Sequence, residues 1–116
     1  MQKRSLSSVK VFYPKLDKQS VLIMLREKAK ELCKKLLIKL MIMFGSYARG
    51  NFTVASDVDL LIVYQGEERK DMFTLLKKTL NIPRLEIHLY SEKEYQEMKD
   101  TINKMIKGGI VVFPDS

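Results

Sequence analysis

The chain has 116 residues, of which 46% are hydrophobic and 30% charged, with a formal net charge of +7 and a single cysteine. These values fit one globular domain able to bury roughly two-thirds of the surface its unfolded chain exposes. They exclude an internal disulfide framework, and no run approaches the roughly 18 consecutive apolar residues of a membrane span.

The basic excess admits polyanionic partners, with a nucleoside triphosphate or a nucleic acid among them. Nucleic acid is not favoured, because Lys and Arg are spread over several segments and mixed with Glu, as in REKAKELCKK, where Glu31 and Lys35 have the spacing of a helical ion pair. The early charges Lys3, Arg4 and Lys10 are not followed by an apolar h-region, so a signal peptide is not expected and a soluble, cytoplasmic protein is. A single domain over residues 1–116 is expected, with residues 1–16 as a peripheral extension or edge strand. Within it VKVFY, residues 9–13, has weak strand alternation and ends at Pro14.

From Asp17 to Leu37 the apolar residues Leu22, Leu25, Ala29, Leu32 and Leu36 recur at spacings of three and four, which predicts an amphipathic helix. Cys33 falls beside that stripe and reads as a small core residue rather than a nucleophile. Residues 38–44, IKLMIMF, predict a largely buried strand that stops at Gly45. SYARGNFTVAS then reads as a short helical turn and a loop, and residues 57–64, DVDLLIVY, as a second strand. A helix is predicted over Glu67 to Leu80, ended by Asn81 and Pro83. RLEIHLY, residues 84–90, alternates, with Leu85, Ile87 and Leu89 on one face and Glu86, His88 and Tyr90 on the other.

Ser91-Glu92-Lys93-Glu94 has the form of a capping box, so one last helix is predicted from there, carrying Tyr95, Met98, Ile102, Met105 and Ile106 and stopped by Gly108-Gly109. IVVF, residues 110–113, is the final strand, and its expected partner is the third. The order predicts an α/β domain of two or three layers around a mixed sheet of about four strands.

The chemistry concentrates around the second strand. Side chains at i and i+2 of a strand share a face, so Asp57 and Asp59 are expected to project together, about 7 Å apart at Cα. Two carboxylates so placed oppose each other's ionisation unless a cation offsets them, and an all-oxygen environment suits Mg²⁺, which commonly brings substrate phosphates as further ligands. Among the remaining acidic residues Glu86 alone lies within an alternating apolar strand, which makes it the candidate third carboxylate. His88 shares its face and could touch the site, although a lone strand histidine reads more often as structural or exposed. At the end of the first strand, Gly45 can let backbone amides approach an anion, and Ser46 adds a hydroxyl donor. A calcium loop starting at Asp57 would need glycine at its sixth position, which is Ile62, and no Gly-Lys-Ser/Thr follows Gly45 to make a Walker loop. In the bland alternative Asp57 caps a turn and Asp59 pairs with a base.

With those residues in place the chain resembles the minimal nucleotidyltransferases, small members of the superfamily that includes DNA polymerase beta. Their signature of Gly-Ser, about ten residues and Asp-x-Asp stands here as GSYARGNFTVASDVDL. Ala48-Arg49-Gly50, Ser56 and the later acidic strand also fall where that family has them, over roughly residues 17 to 113. The resemblance implies the nucleotidyltransferase fold and transfer of a nucleoside monophosphate, most often AMP from ATP, to a hydroxyl acceptor with pyrophosphate leaving. It implies that Gly45 and Ser46 hold the triphosphate, that Asp57 and Asp59 bind two Mg²⁺ ions, and that Glu86 serves the ion and proton at the acceptor. Arg49 would either place a positive charge near the phosphates or pair within its own turn.

Family members usually carry aspartate where this chain has Glu86, whose extra methylene moves the carboxylate by roughly one bond length. Many of them resemble antitoxins encoded beside helical HEPN toxins, some of which they silence by adenylylating a tyrosine. A HEPN-type partner that supplies the acceptor, in a homo- or hetero-oligomer, follows as an expectation. The alternatives are a catalytically weak antitoxin of the same fold that acts by covering its partner, and a small nucleic-acid-binding protein.

Overall fold

The computed structural model describes residues 18–50, 57–67 and 70–114. The expected strand at 9–13, the N-terminal extension and the loop residues 51–56 lie outside the described residues. In chain order the elements are α1 (Lys18–Leu32), β1 (Ile38–Phe44), α2 (Ser46–Arg49), β2 (Val58–Tyr64), α3 (Met72–Leu80), β3 (Leu85–Ser91), α4 (Glu92–Glu97), α5 (Lys99–Met105) and β4 (Ile110–Phe113). The four strands form one sheet in the order β3-β2-β1-β4. β1 runs antiparallel to both β2 and β4, whereas β2 and β3 are parallel. A parallel pair needs a crossover, and α3 is that crossover.

The apolar runs of β1 and β2 are nearly continuous because both faces of the sheet are covered. On one face Met41, Met43, Leu60 and Ile62 pack with Val21, Leu25 and Leu32 of α1 and Leu76 and Leu80 of α3. On the other, Ile42, Phe44, Leu61 and Val63 form a separate cluster with Ile102 of α5, joined by Tyr90, Tyr95, Met105 and Ile106. Every residue of β2 is buried except Asp59, which is only half-buried. The strand's single polar break thus falls where the second core cluster ends.

α1 stops at Leu32, one turn short of the predicted end. Lys34 and Lys35 donate to the carbonyls three residues back, Glu31 and Leu32. This tightening of the last turn satisfies helix-end carbonyls while the chain bends toward β1. Leu36 stays buried, but Leu37 is 65% exposed. α3 likewise begins at Met72 rather than Glu67.

Ser91 caps α4 as expected. Its hydroxyl accepts from the Glu94 amide at 3.1 Å, and Glu94 Oε1 accepts from the Ser91 amide at 2.9 Å. Ser91→Ala is therefore expected to cost about 1 kcal/mol, read from the urea midpoint at unchanged slope.

Two expectations for the C-terminal part are corrected. The last helix is not continuous: Met98, at φ −108° and ψ 22°, sits in the sparsely allowed bridge region and divides it into α4 and α5. Nor does the final strand pair with the third. After β3 the chain crosses the sheet face through α4 and α5 and adds β4 to the far edge of β1, so β3 and β4 are the two edges. Gly109 makes that landing possible. A Cβ there would lie 2.7 Å from Ile42 Cγ2 and 2.8 Å from the Ile106 carbonyl oxygen, so a larger residue would hold β4 off its partner.

No helix among the described residues is long and apolar enough to cross a membrane.

Candidate active site

The candidate site forms where β1 ends beside the start of β2. Strand register sets Phe44 of β1 opposite Asp59 of β2, and Asp59 opposite Glu86 of β3. The three residues thus occupy one rung across three strands. Two residues further along β3, on the same face as Glu86, stands His88. Its ring packs against Phe44, with centroids 5.0 Å apart and planes at 58°. One ligand atom from each of Asp59, Glu86 and His88 lies within 4.8 Å of the others.

Gly45 closes this cluster from the β1 side. Its backbone, at φ 81° and ψ −154°, lies in a region open essentially to glycine alone. A Cβ at that position would run into Asp59 Oδ2 and lie 3.3 Å from the carboxyl carbon. The turn and the carboxylate are therefore built against each other, which gives the Gly-Ser element a physical link to the second aspartate. The half-buried Ser46 opens α2 and the exposed Arg49 ends it. That single turn is held by Arg49 N–H to the Gly45 carbonyl at 3.1 Å and Gly50 N–H to the Ser46 carbonyl at 2.9 Å.

Asp57 is placed differently from Asp59. It precedes β2, is exposed, and pairs with the Arg84 guanidinium at 3.2 Å. With both side chains about half exposed, this pair is worth at most about 1 kcal/mol. Arg84 has a left-handed backbone, φ 59°, and its carbonyl accepts from the Val58 amide at 2.9 Å. Asp59 instead meets His88, with Nε2 to Oδ1 at 3.4 Å and side chains 26% and 30% exposed. The structure thus groups Asp59, Glu86 and Gly45 and adds His88, while Asp57 stands at the rim with Arg84.

His88 was legible in the alternation of RLEIHLY, which puts it on the Glu86 face. Arg84 was not, because its position depends on a positive φ at the mouth of β3 and on a pairing between strands far apart in sequence. Cys33 packs against the main core, and burial pushes its thiol up from the ordinary value. That keeps it protonated and unreactive. Two clefts of about 230 Å³ each, one beside Leu37 and Gln65, the other beside Lys39 and Glu92, include none of Asp57, Asp59, Glu86 or His88 in their linings.

The chemistry of the donor set fits a divalent cation. Two carboxylates on neighbouring strands repel unless something positive offsets them. Around an octahedral ion of magnesium size, adjacent ligands stand roughly 3.0 Å apart and opposite ones roughly 4.2 Å. The separations within the Asp59, Glu86 and His88 group, up to 4.8 Å, need only small side-chain movements to reach that geometry.

Comparison with known proteins bears on family and fold. The family described as "Nucleotidyltransferase domain" matches residues 25–112, a span that starts within α1 and ends within β4. No curated protein matches the sequence significantly. Among solved structures, a crystal structure at 1.40 Å resolution of a Sulfolobus solfataricus protein, itself carrying a provisional nucleotidyltransferase assignment, superposes with a TM-score of 0.57 at 20% identity. The match covers 88% of this chain and 87% of that one, and at this identity it shows a shared fold. From the family match over most of its length, the chain belongs to the nucleotidyltransferase domain family.

Proposed function

We propose that the protein is a divalent-metal-dependent nucleotidyltransferase that moves a nucleoside monophosphate, AMP from ATP in the first instance, onto a hydroxyl group of a partner protein. The observation that carries this reading is the Asp59 and Glu86 rung backed by Gly45, within a chain of this family.

In this reading Asp59 and Glu86, with Asp57 from the rim, would hold a divalent cation. Bound there, a divalent cation would supply charge stabilisation for the phosphates. On the same reading the backbone of the Gly45-Ser46 turn holds the triphosphate, the Ser46 hydroxyl donates to a phosphate oxygen, and Arg49 adds positive charge from the end of α2. Glu86 faces solvent, where an acceptor can arrive, and its carboxylate takes the proton of the acceptor hydroxyl. The acceptor oxygen forms a bond to the α-phosphorus as the bond from that phosphorus to the β-phosphate bridge breaks, and pyrophosphate leaves with the electron pair.

A HEPN-type helical protein with an exposed tyrosine is the proposed partner, by the resemblance of this chain to antitoxins of that kind. Labelled ATP, Mg²⁺ and candidate partners should give labelled partner. Transfer that persists unchanged when Asp57→Asn and Asp59→Asn are combined would sink the mechanism.

One observation favours a second reading, a partner-binding module with weak chemistry: Asp57 is held by Arg84 outside the Asp59, Glu86 and His88 group. In that case the same double variant still binds and neutralises its partner.

A further inference from the structure

We propose that His88 is itself a metal ligand, so that the site is a mixed carboxylate and imidazole centre that holds Mn²⁺ in preference to Mg²⁺. The proposal rests on the metal-binding reading of Asp59 and Glu86 above and specifies which ion their site takes.

Three features of the geometry point to it. First, His88 Nε2 and Asp59 Oδ1 stand 3.4 Å apart, at the weak limit for a hydrogen bond and close to the spacing of two neighbouring ligands around one ion. The two groups are held near each other without satisfying each other well. Second, the imidazole is held from both ends. Strand register sets His88 opposite Leu61, and its ring rests on Phe44, which is 6% exposed. The ring therefore meets the carboxylates from a packed position rather than from a free rotamer. Third, Glu86 and His88 belong to one face of β3, so the strand presents an oxygen donor and a nitrogen donor to the same point.

Ligand chemistry then favours Mn²⁺ over Mg²⁺. Mg²⁺ is a hard cation that favours oxygen ligands and binds imidazole poorly. First-row transition ions accept imidazole readily, and Mn²⁺ among them also keeps a strong affinity for carboxylate and phosphate oxygen. A site made of Asp59, Glu86 and His88 that must also meet a triphosphate suits Mn²⁺ for both reasons.

The test uses the full chain with Mn²⁺ alone. Loss of the free-ion EPR signal measures binding, and electron spin-echo modulation detects nitrogen bound directly to the ion. Wild-type protein should bind Mn²⁺ more tightly than Mg²⁺ in competition and show imidazole nitrogen modulation. His88→Ala should lose the modulation and weaken Mn²⁺ on the order of tenfold or more, since even groups that only support a metal ligand are worth that much. Mg²⁺ binding should change less than about threefold, as an ion that gains little from imidazole predicts. His88→Asp, which restores an all-oxygen set, should bind both ions without the Mn²⁺ preference.

Wild-type protein that fails to bind Mn²⁺, or binds it without nitrogen modulation, overturns the proposal. So does a His88→Ala variant, folded by circular dichroism, with unchanged Mn²⁺ affinity. The wild-type measurement stands even if a variant does not fold. Nucleotidyl transfer without nitrogen modulation removes this proposal and leaves the function standing. Modulation with no transfer to any acceptor does the reverse.

Discussion

Asp59→Asn is expected to lower nucleotidyl transfer by about a thousandfold, and Asp57→Asn by no more than about a hundredfold. Metal-assisted charge stabilisation supplies several kcal/mol in the transition state, and each 1.36 kcal/mol is a factor of ten. In the proposed mechanism that stabilisation depends most on Asp59. It lies in the rung with Glu86, it meets His88, and the Gly45 backbone fixes its position from behind. Asparagine keeps the shape but removes the negative charge, so the loss reports charge rather than packing. Asp57 begins from a weaker position: it is exposed, lies just before β2 and is occupied by Arg84. Its Oδ1 is held by Arg84 at 3.2 Å, so bringing that oxygen to a metal means leaving the guanidinium, at a cost of at most about 1 kcal/mol for an exposed pair. Arg84→Ala removes the competitor and is expected to raise transfer or leave it unchanged. Initial rates with labelled ATP and a fixed acceptor, measured for all three variants, decide the ranking. Equal losses for the two aspartate variants would mean that Asp57 swings fully into the site and that its pairing with Arg84 has no bearing on catalysis.

The difference between the two aspartates also marks where the sequence stops being informative. Its alternation is enough to place Asp59, Glu86 and His88, because all three lie inside regular strands whose side chains must alternate. The apolar runs of β1 and β2, the stripe of α1 and the capping box at Ser91 are legible for the same reason: each follows a local rule of spacing or hydrogen bonding. Asp57 falls one residue before its strand, and its environment is set by Arg84 across a parallel pairing. No spacing within a single segment reports that contact. The final strand is a similar case. IVVF shows that a strand exists, but its choice of β1 rather than β3 depends on how α4 and α5 cross the sheet and on the room that Gly109 leaves against Ile42. The break at Met98 is equally invisible in the pattern, since Tyr95, Ile102, Met105 and Ile106 keep helical spacing through it.

Gly45→Ala is expected to be among the most damaging single substitutions in the chain, with two separable causes. The backbone at φ 81° and ψ −154° is a conformation essentially confined to glycine, and forcing another residue into it costs about 1–3 kcal/mol. The added methyl also runs into the Asp59 carboxylate. If the backbone holds, Asp59 must rotate away from Glu86 and His88; if Asp59 holds, the turn between β1 and α2 must open. Together these effects should lower the melting temperature by on the order of 10 °C for a domain of this size, and they should reduce metal binding even in the fraction that folds.

A double-mutant cycle separates the causes. Asp59→Ala removes the carboxylate that the methyl would strike and gives up only the long contact to His88 at 3.4 Å, so alone it should leave stability nearly unchanged. Placed in that background, Gly45→Ala should cost only its backbone strain. The predicted coupling between the two positions is at least about 1 kcal/mol, well above the few tenths expected of independent sites. Additive losses of stability would show that Gly45 is required for its backbone angles alone. Coupling of the predicted sign would show that glycine is needed there because the carboxylate occupies the place where a side chain would begin.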